Sequence, residues 1–281
     1  MNFDSNRAWQ EATAAVSASR SLLLPVAGVF LLIPNVATSF FLGDVQTRIV
    51  QNMQNPSVLA AIFDAEFGRI LGITLLAMLA MLVGNAAVLV LLTDRRRPTV
   101  GEAILRAARF LPTMVGIVIL TYLALFLLVM VLAIIGAVLG AIIGTAGGVL
   151  LVLGLLAVIC VVVTKLSLTL PAMVMENQLN PVAAITRSWR LTSGNTLRLL
   201  GFYALLFIAY MIVAVIIMVV IGAITALFSG GGTAGQGTLI VTGLVSGAIS
   251  AAVAVLFNGV LAANYRQLSG NSGDQIEETF R

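Results

Sequence analysis

The sequence predicts an all-α integral membrane protein with six transmembrane helices, arranged as three repeated units of an amphipathic helix plus a transmembrane hairpin. Two observations predict the class. Hydrophobic residues make up 60% of the 281-residue chain and charged residues only 9%, at a mean hydropathy of +1.11, whereas a soluble domain carries about a quarter charged residues. The apolar residues also fall in runs at or above the roughly 20 residues that cross a hydrocarbon core about 30 Å thick, where a helix satisfies its own backbone. A third observation, a short motif that recurs along the chain, predicts the arrangement.

The spans are expected at residues 21–41, 70–92, 112–139, 148–170, 199–228 and 239–262. The twenty residues before the first contain Asp4 and Glu11 and no cleavage pattern, which reads as a retained signal anchor. Pro25 and Pro34 lie in the first span; each removes a backbone donor and crowds the preceding turn, so this span should bend. The connection at residues 43–69 carries Asp44, Asp64 and Glu66 and reads as a short helix on the far membrane surface. Thr99 and Glu102 have the spacing of a capping box, which starts a helix after Pro98. On that helix Ile104, Leu105, Ala108 and Leu111 share one face, while Glu102, Arg106 and Arg109 share the other. The uncharged glycine-rich stretches at residues 141–147 and 229–237 read as hairpin tips. Asn180 and Pro181 form a helix start, and Gly194 a stop.

Ala103, Ile104, Arg106 and Arg109 recur as Ala184, Ile185, Arg187 and Arg190, each set preceding two long apolar runs. Trp9, Ala12 and Val16 are spaced like Val182, Ile185 and Trp189, without the arginine pair. The expected units are residues 1–97, 98–179 and 180–265, with a cytoplasmic tail at 266–281. Twelve arginines fall in the first, third, fifth and last of the segments flanking the spans, against Arg48 and Arg69 on the opposite side. By the positive-inside rule both termini face the cytoplasm of a bacterial inner membrane.

The chain contains no histidine and one cysteine, Cys160. That removes the commonest general base, the commonest metal ligand and any internal disulfide. No catalytic residue, cofactor or metal site is therefore expected, and the chain reads as non-enzymatic. The net charge of +4 sits beside the spans rather than on a soluble basic domain, which points to lipid headgroups and not to nucleic acid. Gly230, Gly231, Gly232, Gly235 and Gly237 form a turn and not a phosphate loop, because no Lys-Ser or Lys-Thr follows them.

Candidate residues follow from this chemistry. Arg106, Arg109, Arg187 and Arg190 either contact anionic headgroups or only fix topology and pair with Glu102 or Glu176. Lys165, the only lysine, lies within the fourth span and either snorkels to the interface, pairs with Glu176 or lines a polar path. Asn85 and Asn258 suit a hydrogen bond between helices or a cavity wall. Gly136, Gly140 and Gly144, like Gly243 and Gly247, repeat every four residues and suit close helix packing, within the chain or with a second copy.

The run Pro171, Glu176, Pro181, Ala184, Ile185, Arg187, Ser188, Trp189, Arg190, Leu191, Thr192, Gly194 and Asn195, followed by a long apolar stretch, resembles the membrane domain associated with glycerophosphoryl diester phosphodiesterases and the related YciC-like bacterial membrane proteins. The resemblance implies membrane architecture and an association with phospholipid. It does not carry over hydrolysis, which in fused members belongs to a separate domain using histidines and carboxylates. The expected role is to bind or organise phospholipid at the cytoplasmic face, anionic phospholipid among the partners, in envelope homeostasis or lipid movement. Transport of a small solute and a scaffold built on a homo-oligomer or a protein partner are the alternatives.

Overall fold

The computed structural model describes residues 3–94, 98–229 and 236–270, so that Arg95, Arg96, Arg97, most of the glycine-rich stretch expected to be a hairpin tip (Gly230 to Gly235) and the segment 271–281 lie outside the described residues. All regular structure among the described residues is helical: α1 (Ser5–Ala27), a π-helical turn (Gly28–Leu32), α2 (Ile33–Gln51), α3 (Pro56–Thr93), α4 (Val100–Ile143), α5 (Thr145–Leu166), α6 (Thr169–Met175), α7 (Pro181–Thr192), α8 (Thr196–Ser229) and α9 (Gln236–Ser269). Among the described residues, six stretches are long and apolar enough to cross a membrane, namely Ser5–Gln51, Pro56–Thr93, Val100–Val138, Ala146–Met175, Thr196–Val220 and Gly243–Ser269.

Where the first span is expected to bend, the helix carries a single π-helical turn between the two prolines. Pro34 has no N–H to offer the carbonyl four residues back. The ladder shifts by one residue instead, and the Ile33 N–H donates to the Gly28 carbonyl.

Two expectations about helix ends are corrected. The polar connection at residues 43–69 is not a surface helix, because α2 continues to Gln51, α3 starts at Pro56, and only a tight turn at Asn52–Asn55 joins them. Charge pairs between the two helices satisfy Asp44 and Glu66, two of the three acids that made this stretch look like a polar connection. Nor does a separate amphipathic helix precede residue 112: α4 runs unbroken through Pro112. A proline costs a helix one hydrogen bond, and its fixed φ remains helical, so the chain carries on where neighbouring groups re-satisfy the backbone. The segment at residues 181–195 does break, because Gly194 adopts φ +91° between α7 and α8, a conformation that favours glycine. At 44 residues, α4 is about 66 Å long, more than the roughly 40–45 Å of a whole bilayer. Part of it therefore extends past the hydrocarbon.

The chain divides into two compact units, Met1–Ala12 with Arg109–Phe207 and Val260–Arg281, and Thr13–Ala108 with Ile208–Gly259. In the first, Phe3, Ala8, Ala12, Leu199, Phe202, Val260 and Ala263 form one buried cluster, and Leu168, Ala172, Leu261 and Tyr265 form another. Asp4 caps α1 by accepting from the Asn6 and Arg7 amides at 2.9 and 3.2 Å. In the second unit, the π-helical turn packs against α3 at Gly84, where a Cβ would stand 2.6 Å from the Phe30 Cβ. Only a glycine lets the helices approach this closely.

Candidate functional site

The polar residues of the first unit converge at the corner between α6 and α7. The Asn180 side chain caps α7, accepting from the amides of Val182 and Ala183 at 3.0 and 3.3 Å, and Pro181 takes the first helical position. Ala184, Ser188 and Thr192, four residues apart, form the buried face of α7. Ser188 donates to the Lys165 carbonyl at 2.6 Å, which ties α7 to the end of α5. The opposite face leaves Val182, Trp189 and Arg190 exposed.

Glu176, just past α6, is the electrostatic centre of the corner. Its carboxylate accepts from Arg187 Nε at 2.7 Å and from the hydroxyl of Tyr265, which is only 2% exposed. The hydrogen bond to Glu176 is the main reason that the Arg187 guanidinium is held above its ordinary pKa. Lys165 does not pair with Glu176. It lies in the last turn of α5, donates to Ser193 Oγ at 3.1 Å, and sits 4.9 Å from the centroid of the Trp189 ring, within cation–π range. Arg190 is exposed and has no ion pair among the described residues.

The start of α4 follows the same local plan. Thr99 and Glu102 form the capping box, the Thr99 N–H donating to Glu102 at 2.8 Å and the Glu102 N–H to Thr99 at 3.3 Å. This occupies Glu102, so Arg106 pairs with Asp94 at 2.7 Å rather than with Glu102. Arg109, one turn on, is exposed and without an ion pair among the described residues. The packed face is Ala103, Ala107, Phe110 and Met114, while the apolar face read from the sequence points away from it, with Leu105 69% exposed.

In the second unit, Asn258 donates to the Asn85 side-chain oxygen at 2.6 Å and to the Ala254 carbonyl, so the two amides join α3 to α9. On the α2–α3 hairpin, Arg48 meets Glu66 at 2.5 Å, and Arg69 meets Asp44 at 2.7 Å and Glu66 at 3.4 Å. Four charges cancel there.

The glycines have separate roles. A Cβ on Gly136 would collide with the Leu151 side chain, one on Gly243 would stand 3.2 Å from the Ser39 Cβ, and one on Gly247 would stand 3.3 Å from the Leu32 carbonyl oxygen. These three are points of close approach. Gly140 meets nothing within 4 Å. Gly144 is not a packing residue: at φ +62° it forms the turn between α4 and α5. Gly84, Asp94 and Tyr265 escaped the sequence reading. The readable signals were a glycine beside Asn85, and an acid at the end of an apolar run 12 residues before its arginine, against 11 for Glu176 and Arg187.

No group of three or more metal-binding side chains exists among the described residues. No protein-family model, curated protein or solved structure matches this chain. The assignment of a role therefore rests on the geometry of its own residues.

Proposed function

We propose that this chain is a non-enzymatic multi-pass protein of a bacterial inner membrane, with both termini cytoplasmic, that binds or organises phospholipid at the cytoplasmic face. One observation carries the reading. In each Arg-x-x-Arg segment the first arginine is neutralised by a carboxylate at the end of the preceding helix, Arg106 by Asp94 and Arg187 by Glu176, whereas the second, Arg109 or Arg190, is exposed without an ion pair among the described residues. The paired arginines hold the helix in place. The second ones stay available to an anion, beside exposed apolar groups such as Leu105, Val182 and Trp189, which is the composition of a helix lying in the headgroup layer. Each such arginine adds about 1 kcal/mol of attraction to an anionic surface.

The same features support three repeated units. Ala103 and Ala107 are buried small residues four apart, as are Ala184 and Ser188, and Ala8 and Ala12 supply a third such pair. They support a register for the first unit in which Ala12 corresponds to Ser188, in place of the Ile185 that the tryptophan spacing suggests. The resemblance to the membrane domain of glycerophosphoryl diester phosphodiesterases gains physical content at this corner. Of its motif, Glu176 pairs with Arg187, Pro181 opens α7, Ala184, Ser188 and Thr192 form its packed face, and Gly194 ends it.

The test is identification by mass spectrometry of the lipids retained by the protein extracted in native nanodiscs, comparing wild type with Arg106→Gln/Arg109→Gln/Arg187→Gln/Arg190→Gln at matched folding. Enrichment of anionic phospholipid over the bulk membrane, lost in the variant, is expected. Identical bulk-like profiles in both would reject the reading.

A further inference from the structure

The α2–α3 hairpin carries a second polar feature, independent of the arginines. An open groove of about 410 Å³, lined among others by Asn35, Thr38, Ser39, Thr74, Met81 and Asn85, runs between the two helices. This volume lies in the range of ligand sites, roughly 300–1,000 Å³. Thr74 stands five residues beyond Arg69, about 7.5 Å along the helix, and Asn85 about 16 Å further. The lining thus descends from the neutralised charge cluster toward the middle of the span.

Its polar groups are not all used by the fold. Hydroxyls in transmembrane helices ordinarily bond to a carbonyl one turn back, as Thr38 does to Pro34, and the Asn35 and Asn85 amides donate to Leu31 and Met81 in the same way. Ser39 and Thr74 make no such bond and have no side-chain hydrogen bond among the described residues. The Asn35 oxygen and its second N–H are also left over. The rest of the lining is Gln46 and an apolar wall of Ala77, Met78, Met81 and Leu82, with methionines able to adapt to an alkyl chain.

We propose that this groove binds a neutral lipid whose head carries a free hydroxyl beside ester carbonyls, of the diacylglycerol class. The lining has no charged side chain, and the nearest arginines, Arg48 and Arg69, are matched by Glu66 and Asp44, so a phosphate or carboxylate would enter without a counter-charge. Ser39, Thr74 and Asn35 supply hydrogen bonds to a small uncharged head, and the apolar wall takes the chains. A free polyol shares the head chemistry but leaves the apolar wall unused.

The test places the full-length protein in phosphatidylcholine nanodiscs containing a few mole per cent of dioleoylglycerol, of dioleoylphosphatidic acid, or neither, and measures retained lipid by native mass spectrometry. Free glycerol is titrated in a parallel arm. Dioleoylglycerol should be retained above its bulk share and fall about tenfold in Ser39→Ala/Thr74→Val, the loss of two hydrogen bonds. Ala77→Phe, which fills the groove and removes no hydroxyl, should do the same, while Thr74→Ser should keep wild-type retention. Phosphatidic acid should show no enrichment that these variants remove. Equal retention in wild type and in both Ala77→Phe and Ser39→Ala/Thr74→Val would overturn the proposal. Glycerol binding that the variants abolish, without dioleoylglycerol retention, would overturn the lipid assignment in favour of a solute site. None of these variants alters an arginine, so failure here is separate from failure of the phospholipid reading.

Discussion

Two regions of this chain place arginines beside carboxylates and use them differently. On the α2–α3 hairpin, Arg48 and Arg69 meet Asp44 and Glu66, and the four charges cancel. At the α6–α7 corner one carboxylate, Glu176, serves Arg187, while Arg190 and Lys165 have no carboxylate partner among the described residues. The hairpin is also held sterically, through the close approach at Gly84, whereas the corner depends on hydrogen bonds that end on Glu176 and Tyr265. The number of acids within reach, and not the number of arginines, decides whether a basic residue closes the fold or stays available to an anion.

Breaking the hairpin sterically should have the largest effect. Gly84→Leu is expected to cost about 3 kcal/mol through overpacking against Phe30, measured as thermal unfolding in micelles, while Gly28→Ala, where a Cβ meets nothing within 4 Å, should stay within about 0.5 kcal/mol of wild type. A small loss at Gly84 would mean that the hairpin does not depend on that contact. Next, Glu176→Ala should cost about 2 kcal/mol, because it strands the buried Tyr265 hydroxyl. In the Tyr265→Phe background the cost should shrink by about 1 kcal/mol, and an unchanged cost would break the link between the two residues. Arg69→Gln, on an exposed network, should cost less than about 1 kcal/mol. Arg190→Gln should leave stability within about 0.5 kcal/mol.

The parts of this architecture that were legible in the sequence are those written in local chemistry. Six apolar runs, the Thr99–Glu102 capping box and the Asn180–Pro181 start each depend on residues within a few positions of one another, and each forms where it was read. What could not be read depends on partners far along the chain. Residues 43–69 look like a polar connection with a short surface helix until Arg48 and Arg69 are seen to answer Glu66 and Asp44 across the hairpin. Pro112 looks like a boundary but continues a helix, whereas Gly194 ends one, a difference that turns on backbone angle and not on polarity. At the candidate site the residue types were readable, but the sorting into paired Arg106 and Arg187 and unpaired Arg109 and Arg190 was not, because it depends on where Asp94 and Glu176 come to lie.

The central claim is that unmatched arginines, and not total charge, bind anionic lipid. Its most direct test is the retention of phosphatidylglycerol in nanodiscs of increasing phosphatidylglycerol content, compared between Arg109→Gln/Arg190→Gln and Arg48→Gln/Arg69→Gln, which remove the same formal charge. The first variant should lose retention about tenfold and the second should match wild type; equal losses in both, or none in the first, would contradict the account.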